Sequence, residues 1–294
     1  MREIRQKEGL QSLKTKEAVL GIIFVTPSMS GFLVFYFLPY IKSLFYCFTS
    51  GIGIRFVGIE NFVDLLTSEP YQLALKNTLV FLTVAIPLII MISFIFALLL
   101  KNASKILTVI IIIPLVIPAA SITSFFKFIF SEYGIVNEAL SKVNIQPINF
   151  FDSGWSSIIL ITVFLWKYFG YNTILYLTAL NNIPVQYYES AVLDGAGRWK
   201  CLIHITIPFS IPVSFFVFIV SFVNSFKIFR EIILLFGIYP NDNVYIMQHF
   251  MNNNFLNLSY QRLSTAAFLM IIIIVAIVIL CYRLQENTRK GLLD

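Results

Sequence analysis

Long apolar stretches separated by short charged segments dominate this chain. Runs free of Asp, Glu, Lys and Arg occur at 18–41, 77–100, 106–126, 201–226 and 263–282, and a sixth, 153–188, holds a single ionisable residue, Lys167. A membrane-crossing helix needs about 20 predominantly apolar residues, so the pattern predicts six spans. The period-two alternation of a transmembrane barrel is absent. The fold class expected is all-α, a polytopic membrane bundle of six transmembrane helices. Prolines at 27, 39, 87, 114, 118 and 212 fall inside these runs. Membrane helices accept them where neighbours satisfy the freed carbonyls, and they predict kinks.

Composition sharpens this reading. Apolar residues make up 58% of the 294 residues and charged residues 12%, against about 45–50% and 25% in soluble domains. A water-soluble globule cannot bury so much apolar side chain. Soluble enzyme, secreted disulfide module and disordered chain are thereby excluded. The net charge of +6 reads as a topological bias rather than a nucleic-acid footprint. Segments 1–18, 101–105, 181–204 and 283–294 hold twelve Lys and Arg, while the longer segments 42–76, 127–152 and 227–262 hold eight. Basic residues concentrate on the cytoplasmic side, so both termini are expected inside. The first run is too long for a signal-peptide core and is expected to remain as a span. Cys47, Cys201 and Cys281 are widely spaced and form no metal or redox motif. The segment 227–262 is expected to be an outer, amphipathic, partly helical stretch.

The inner segment 181–208 carries the most specific pattern. Pro184 suits the first turn of a helix, with Val185, Tyr188, Ala191 and Val192 on one face. Asp194-Gly195 ends it, residues 198–204 can form a second short helix, and Pro208 marks entry to the next span. The product is a helix–turn–helix on the cytoplasmic surface.

This segment resembles the coupling loop of binding-protein-dependent ABC importer permeases, Glu-Ala-Ala, three residues, Gly, nine residues, Ile-x-Leu-Pro. Glu189, Ala191, Gly195, Ile205 and Pro208 fall in register, with Ser190 and Ile207 as mild departures. Pro27-Ser28, Gly31-Phe32, Phe56-Val57-Gly58, Asn61-Phe62, Asn77-Thr78, Ile113-Pro114, Ile117-Pro118 and Phe229-Arg230-Glu231-Ile232 are similar to its carbohydrate-uptake branch, the maltose and glycerol-phosphate type. Gly237-Ile238-Tyr239-Pro240 stands where that branch usually has Gly-Gly-Pro.

The resemblance implies a half-channel in the cytoplasmic (inner) membrane of a prokaryote, with a transmembrane domain at 19–282, a cytoplasmic N-terminal segment at 1–18 and a cytoplasmic tail at 283–294. It implies a second permease subunit, a dimer of ATP-binding subunits carrying ATP and Mg, and an extracellular or periplasmic solute-binding protein that delivers a carbohydrate. No catalytic residue, resident cofactor, metal or nucleic-acid partner is expected of this chain. Glu189, Ala191, Asp194, Gly195 and Pro208 would couple it to the ATPase: Glu189 pairing with a basic or polar group, Ala191 allowing close approach, Gly195 making the turn.

Inside the membrane, a lysine at mid-span costs about 2.5–3.5 kcal/mol on insertion scales, so Lys167 should face protein or water. By the resemblance, Trp166 and Lys167, with Ser221, Asn224 and Ser225 beyond the loop, fall where sugar importers line the solute pathway. Lys167 is expected to point into that pathway, facing Ser225 across it. Ser121, Thr123 and Ser124 are weaker candidates. An ion-coupled secondary transporter would want acidic or histidine relays at mid-membrane, and an intramembrane enzyme paired acids or a nucleophile with a base. No buried carboxylate is expected, and His204 and His249 fall on opposite sides, so both alternatives rank below the importer.

Overall fold

The computed structural model describes residues 17, 19–51, 55–101 and 103–290. Of the expected cytoplasmic termini, residues 1–16, 18 and 291–294 lie outside the described residues. Helix α1 runs Val19–Cys47. A two-residue hairpin, β1 Thr49–Ser50 and β2 Arg55–Phe56, then leads to α2 Glu60–Leu66 and α3 Glu69–Leu100. Four shorter helices follow: α4 Lys105–Ile110, α5 Ile113–Val116, α6 Ala119–Phe130 and α7 Ile135–Lys142. Helix α8 spans Ser156–Asn181, α9 Val185–Leu193, α10 Arg198–Cys201, α11 Ile207–Lys227, α12 Phe229–Phe236, α13 Met247–Leu256 and α14 Tyr260–Lys290.

Helix α8 is the centre of the bundle, packed between α3 and α11. Its buried face includes Leu160, Val163, Phe164 and Tyr176, meeting Phe81, Ala85, Ile89 and Phe222. Lipid is as apolar as these side chains, so polar bonds and close packing hold such helices together. Asn172 Nδ2 donates to Ser221 Oγ at 2.8 Å, Tyr176 O–H to Ser214 Oγ at 2.9 Å, and Ser93 Oγ to the Phe169 carbonyl at 3.2 Å. On the opposite flank α1 is poorly packed. It touches α14 near its end, through Ser43 Oγ to Ser264 Oγ at 2.9 Å and the stacked rings of Tyr46 and Tyr260. Phe24, Phe35 and Tyr36 remain exposed.

Among the described residues, five helices are long and apolar enough to cross a membrane: α1, α3, α8, the helix Arg198–Phe236 and Tyr260–Arg283. The expected third span is not one straight helix. Ile106–Val116 and Ala119–Lys142 meet the criterion only as a pair, bent by 96°. Ile117 is extended (φ −67°, ψ 131°), as a residue before proline prefers. Close packing supports the break. A Cβ on Gly170 of α8 would lie 1.7 Å from the Ile111 carbonyl oxygen, so only glycine admits that backbone.

The fifth span also differs from expectation. Residues 198–204 do not form a separate helix. From α10 the chain passes through a widened turn, Leu202–Thr206, directly into α11 and α12, forming one helix of 39 residues. The Ile207 N–H donates five residues back, to Leu202, immediately before Pro208. The same device, Leu38 N–H to Leu33, precedes Pro39. A widened turn absorbs the carbonyl a proline cannot serve. Consequently Lys227, Arg230 and Glu231, assigned above to an outer segment, belong to this helix.

Three asparagines pin connections between the helices. Asn61 Nδ2 donates to the carbonyls of Tyr46, Cys47 and Thr49 at the end of α1. Asn77 Nδ2 reaches Asp242 and Tyr245, and Asn137 bridges Ser131 and Ile148.

Candidate functional site

The loop between α8 and α11 is a helix closed by a defined terminus. Pro184 sits at the N-cap (φ −58°, ψ 132°) rather than within the first turn. At the other end Ala196 N–H donates to Ala191 O at 2.8 Å and Gly195 N–H to Val192 O at 3.0 Å. This is the Schellman pattern, which needs a left-handed residue after the cap. Gly195 supplies it, at φ +75°. Asp194, the C-cap residue, donates its N–H to Ser190 O at 3.0 Å. Ala191 thus contributes its carbonyl to the turn as well as a small side chain.

Two tyrosines clamp α9 to the base of the next helix. Tyr188 O–H and Thr206 Oγ1 lie 3.0 Å apart, and the Lys101 ammonium sits 4.8 Å from the Tyr188 ring centroid. The Tyr187 ring lies 5.0 Å from that of Phe209. Of the four residues expected on one face, Tyr188 and Ala191 are half-buried, while Val185 and Val192 are exposed. Leu193 is 88% and Trp199 76% exposed. Glu189 is exposed and makes no ion pair among the described residues. Pro208 follows the widened turn at the start of α11. The outward surface is therefore a carboxylate among unburied apolar side chains, the character of a docking surface. Lys101, Thr206 and Phe209 were not singled out from sequence; only the helical position of Tyr188 hinted at the clamp.

The expected pathway residues do not form one surface. Ser221 is fully buried and accepts from Asn172, Ser225 O–H donates to the Phe222 carbonyl at 2.6 Å, and Asn224 is buried. Trp166 stacks on Phe125 with centroids 5.7 Å apart and meets Phe126 edge-on. Thr123 is buried and bonds to the Ala120 carbonyl at 2.9 Å, while Ser121 and Ser124 are exposed.

Lys167 does not face Ser225. Its ammonium is bonded to Glu231 Oε1 of the same chain and lies 5.3 Å from the Tyr168 ring centroid. The two side chains are 14% and 2% exposed. The expectation that no carboxylate is buried is thus incorrect, since Glu231 is 1% exposed. The rule that ended the fifth span at its first charge placed Glu231 in an exposed outer segment; pairing with Lys167 is what allows its burial. Lys167, Glu231, Lys227, Arg230 and Ala119 line an open cavity of about 930 Å³ beside the break at Ile117-Pro118.

Comparison with known proteins places these features. Residues 89–292 match the family described as "Binding-protein-dependent transport system inner membrane component". The lactose transport system permease LacF of Rhizobium radiobacter is 34% identical over 230 residues, 75% of this chain and 77% of that protein. The arabinooligosaccharide permease AraP of Halalkalibacterium halodurans is 26% identical, covering 77% and 74%. A permease chain of a bacterial ABC transporter importing the acidic polysaccharide alginate superposes with a TM-score of 0.81, at 24% identity, over 93% of this chain and 97% of that one. With the loop pattern, the helix count and a match over most of its length, this chain belongs to the binding-protein-dependent inner-membrane transport components, as a non-catalytic permease subunit.

Proposed function

We propose that this permease forms half of the pore of an ATP-driven importer for a carbohydrate delivered by an external solute-binding protein. The observation that carries the coupling role is the rigidly closed helix α9 with its exposed Glu189, Val192, Leu193 and nearby Trp199. A helix fixed at both ends by the Schellman turn and the tyrosine clamp transmits a push rather than absorbing it. ATP and Mg belong to the ATPase subunits that would receive this surface, and their closure would tip the loop as a rigid-body change between two pore states. Glu189, Ala191, Asp194, Gly195 and Pro208 remain the coupling set. The solute class rests on relatives named for lactose, arabinooligosaccharides and sn-glycerol-3-phosphate. A related alginate transporter has been captured with a pentasaccharide-bound periplasmic protein. Both termini and α9 are assigned to the cytoplasmic side from the Lys and Arg distribution, with the transmembrane domain at 19–282. Of the residues expected along the pathway, Lys167 keeps a place beside a cavity, whereas Trp166, Ser221, Asn224 and Ser225 pack within the bundle. Calorimetry on the partner solute-binding protein tests the reading: saccharide binding supports it, and a protein that binds only amino acids, peptides or metal ions refutes it.

A further inference from the structure

We infer that the cavity beside Lys167 takes the anionic group of an acidic saccharide, a sugar carrying a carboxylate or phosphate. This rests on the carbohydrate reading above and narrows it. Three cations, Lys167, Lys227 and Arg230, line the cavity with one carboxylate, Glu231. The carboxylate is already neutralised by Lys167. Lys227 and Arg230 are exposed and have no ion-pair partner among the described residues, so the cavity holds an excess of two positive charges.

Two further features point to a ligand. Glu231 Oε2 is buried without a hydrogen-bond partner, on a residue only 1% exposed. It is an acceptor awaiting a donor, and a sugar hydroxyl is one. The twelve-residue helix α6 also begins at this wall. Its N-cap is Pro118, and Ile117, Pro118 and Ala119 line the cavity. The N-terminus of a helix broken within a membrane favours negative groups. A neutral sugar would leave two cations unmatched, whereas an acidic one pairs with them.

The shared chemistry, an anionic oxygen group, is also that of a phospholipid headgroup, and the test separates the two. The complete transporter, with partner permease and ATPase, is placed in phosphatidylcholine nanodiscs. Binding of trigalacturonate and of neutral galactotriose is followed by calorimetry, with Lys227→Gln/Arg230→Gln alongside wild type. Trigalacturonate should bind at least about tenfold more tightly than galactotriose, the scale of one lost charge-assisted bond. The double variant should lose that preference. Equal affinities, or a preference that survives the variant, overturn the inference and leave the carbohydrate reading standing. Binding of neither sugar overturns it too, and the carbohydrate reading is then decided by the solute-binding protein's own ligand. Retention of phosphatidylglycerol by the purified wild type but not the variant, with trigalacturonate unable to displace it, assigns the cavity to lipid and overturns the inference.

Discussion

Lys167→Met removes one partner of an ion pair whose side chains are 14% and 2% exposed. It leaves the Glu231 carboxylate with both oxygens unpaired, since Oε2 has no partner even in the intact protein. Breaking a buried pair in this way costs about 3–5 kcal/mol, mainly because the remaining charge stays desolvated. Replacing both partners with apolar residues of similar size is commonly neutral or stabilising by about 1–4 kcal/mol. Lys167→Met should therefore destabilise the chain, and Lys167→Met/Glu231→Leu should recover most of the loss. At roughly 2 °C per kcal/mol for a chain of this size, the single variant should lose about 6–10 °C in apparent melting temperature. Heating detergent-solubilised, fluorescently tagged transporter and following the surviving complex by size exclusion measures this. Transport is scored separately, because the double variant also removes the cavity's free acceptor. A single variant within 1 °C of wild type, or a double variant less stable than the single, would refute the reasoning.

Other expectations follow from the same geometry. Glu189→Ala should weaken co-purification of the ATPase by about 2–5 kcal/mol if the docked carboxylate is desolvated, with membrane insertion unchanged; equal recovery of the ATPase returns Glu189 to a solvated surface charge. Gly170→Ala forces a Cβ to within 1.7 Å of the Ile111 carbonyl oxygen and should lower the yield of assembled transporter severely, whereas Gly154→Ala, which meets nothing within 4 Å, should not. Leu193→Cys, at a position of α9 that is 88% exposed, should react with a membrane-impermeant thiol reagent only after cells are opened; labelling of intact cells would invert the topology. His249, on α13 outside the spans, is fully buried, and burial holds its pKa down to about 4. The unfolded chain therefore binds the extra proton between about pH 6.5 and 4, so the stability held above 6.5 falls through that window by about 3 kcal/mol and His249→Gln should flatten a melting-temperature profile there.

Charge gaps marked the membrane helices well, because a bilayer makes each unpaired charge expensive and sequences avoid it. The closed helix α9 was equally legible. Gly195 and Pro208 act through local backbone geometry, and a left-handed turn after a short helix leaves a local signature. What escaped were features created by distant contacts. Glu231 is 64 residues from Lys167, and no spacing rule links them, so a charge-gap reading ended the span too soon. Pro114 and Pro118 announced a disturbance in the third span, but a 96° bend depends on Gly170 of another helix admitting Ile111. Ser221 and Ser225 looked available because sequence shows polarity without facing, and both are turned into the packing.

The merging of α10, α11 and α12 has a mechanical consequence. At 1.5 Å per residue, about 45 Å of one helix separates Leu202, beside the coupling loop, from Glu231 at the cavity. Tilted as a unit, by about 5°, it would move its far end by roughly 4 Å relative to its near end. The Lys167–Glu231 bond ties that far end to α8, the helix on the other side of the same loop. Both arms thus leave one hinge region and meet again at one buried tie, so the loop and the cavity belong to a single closed frame. Displacing one corner of that frame must either carry the opposite corner with it or strain the tie.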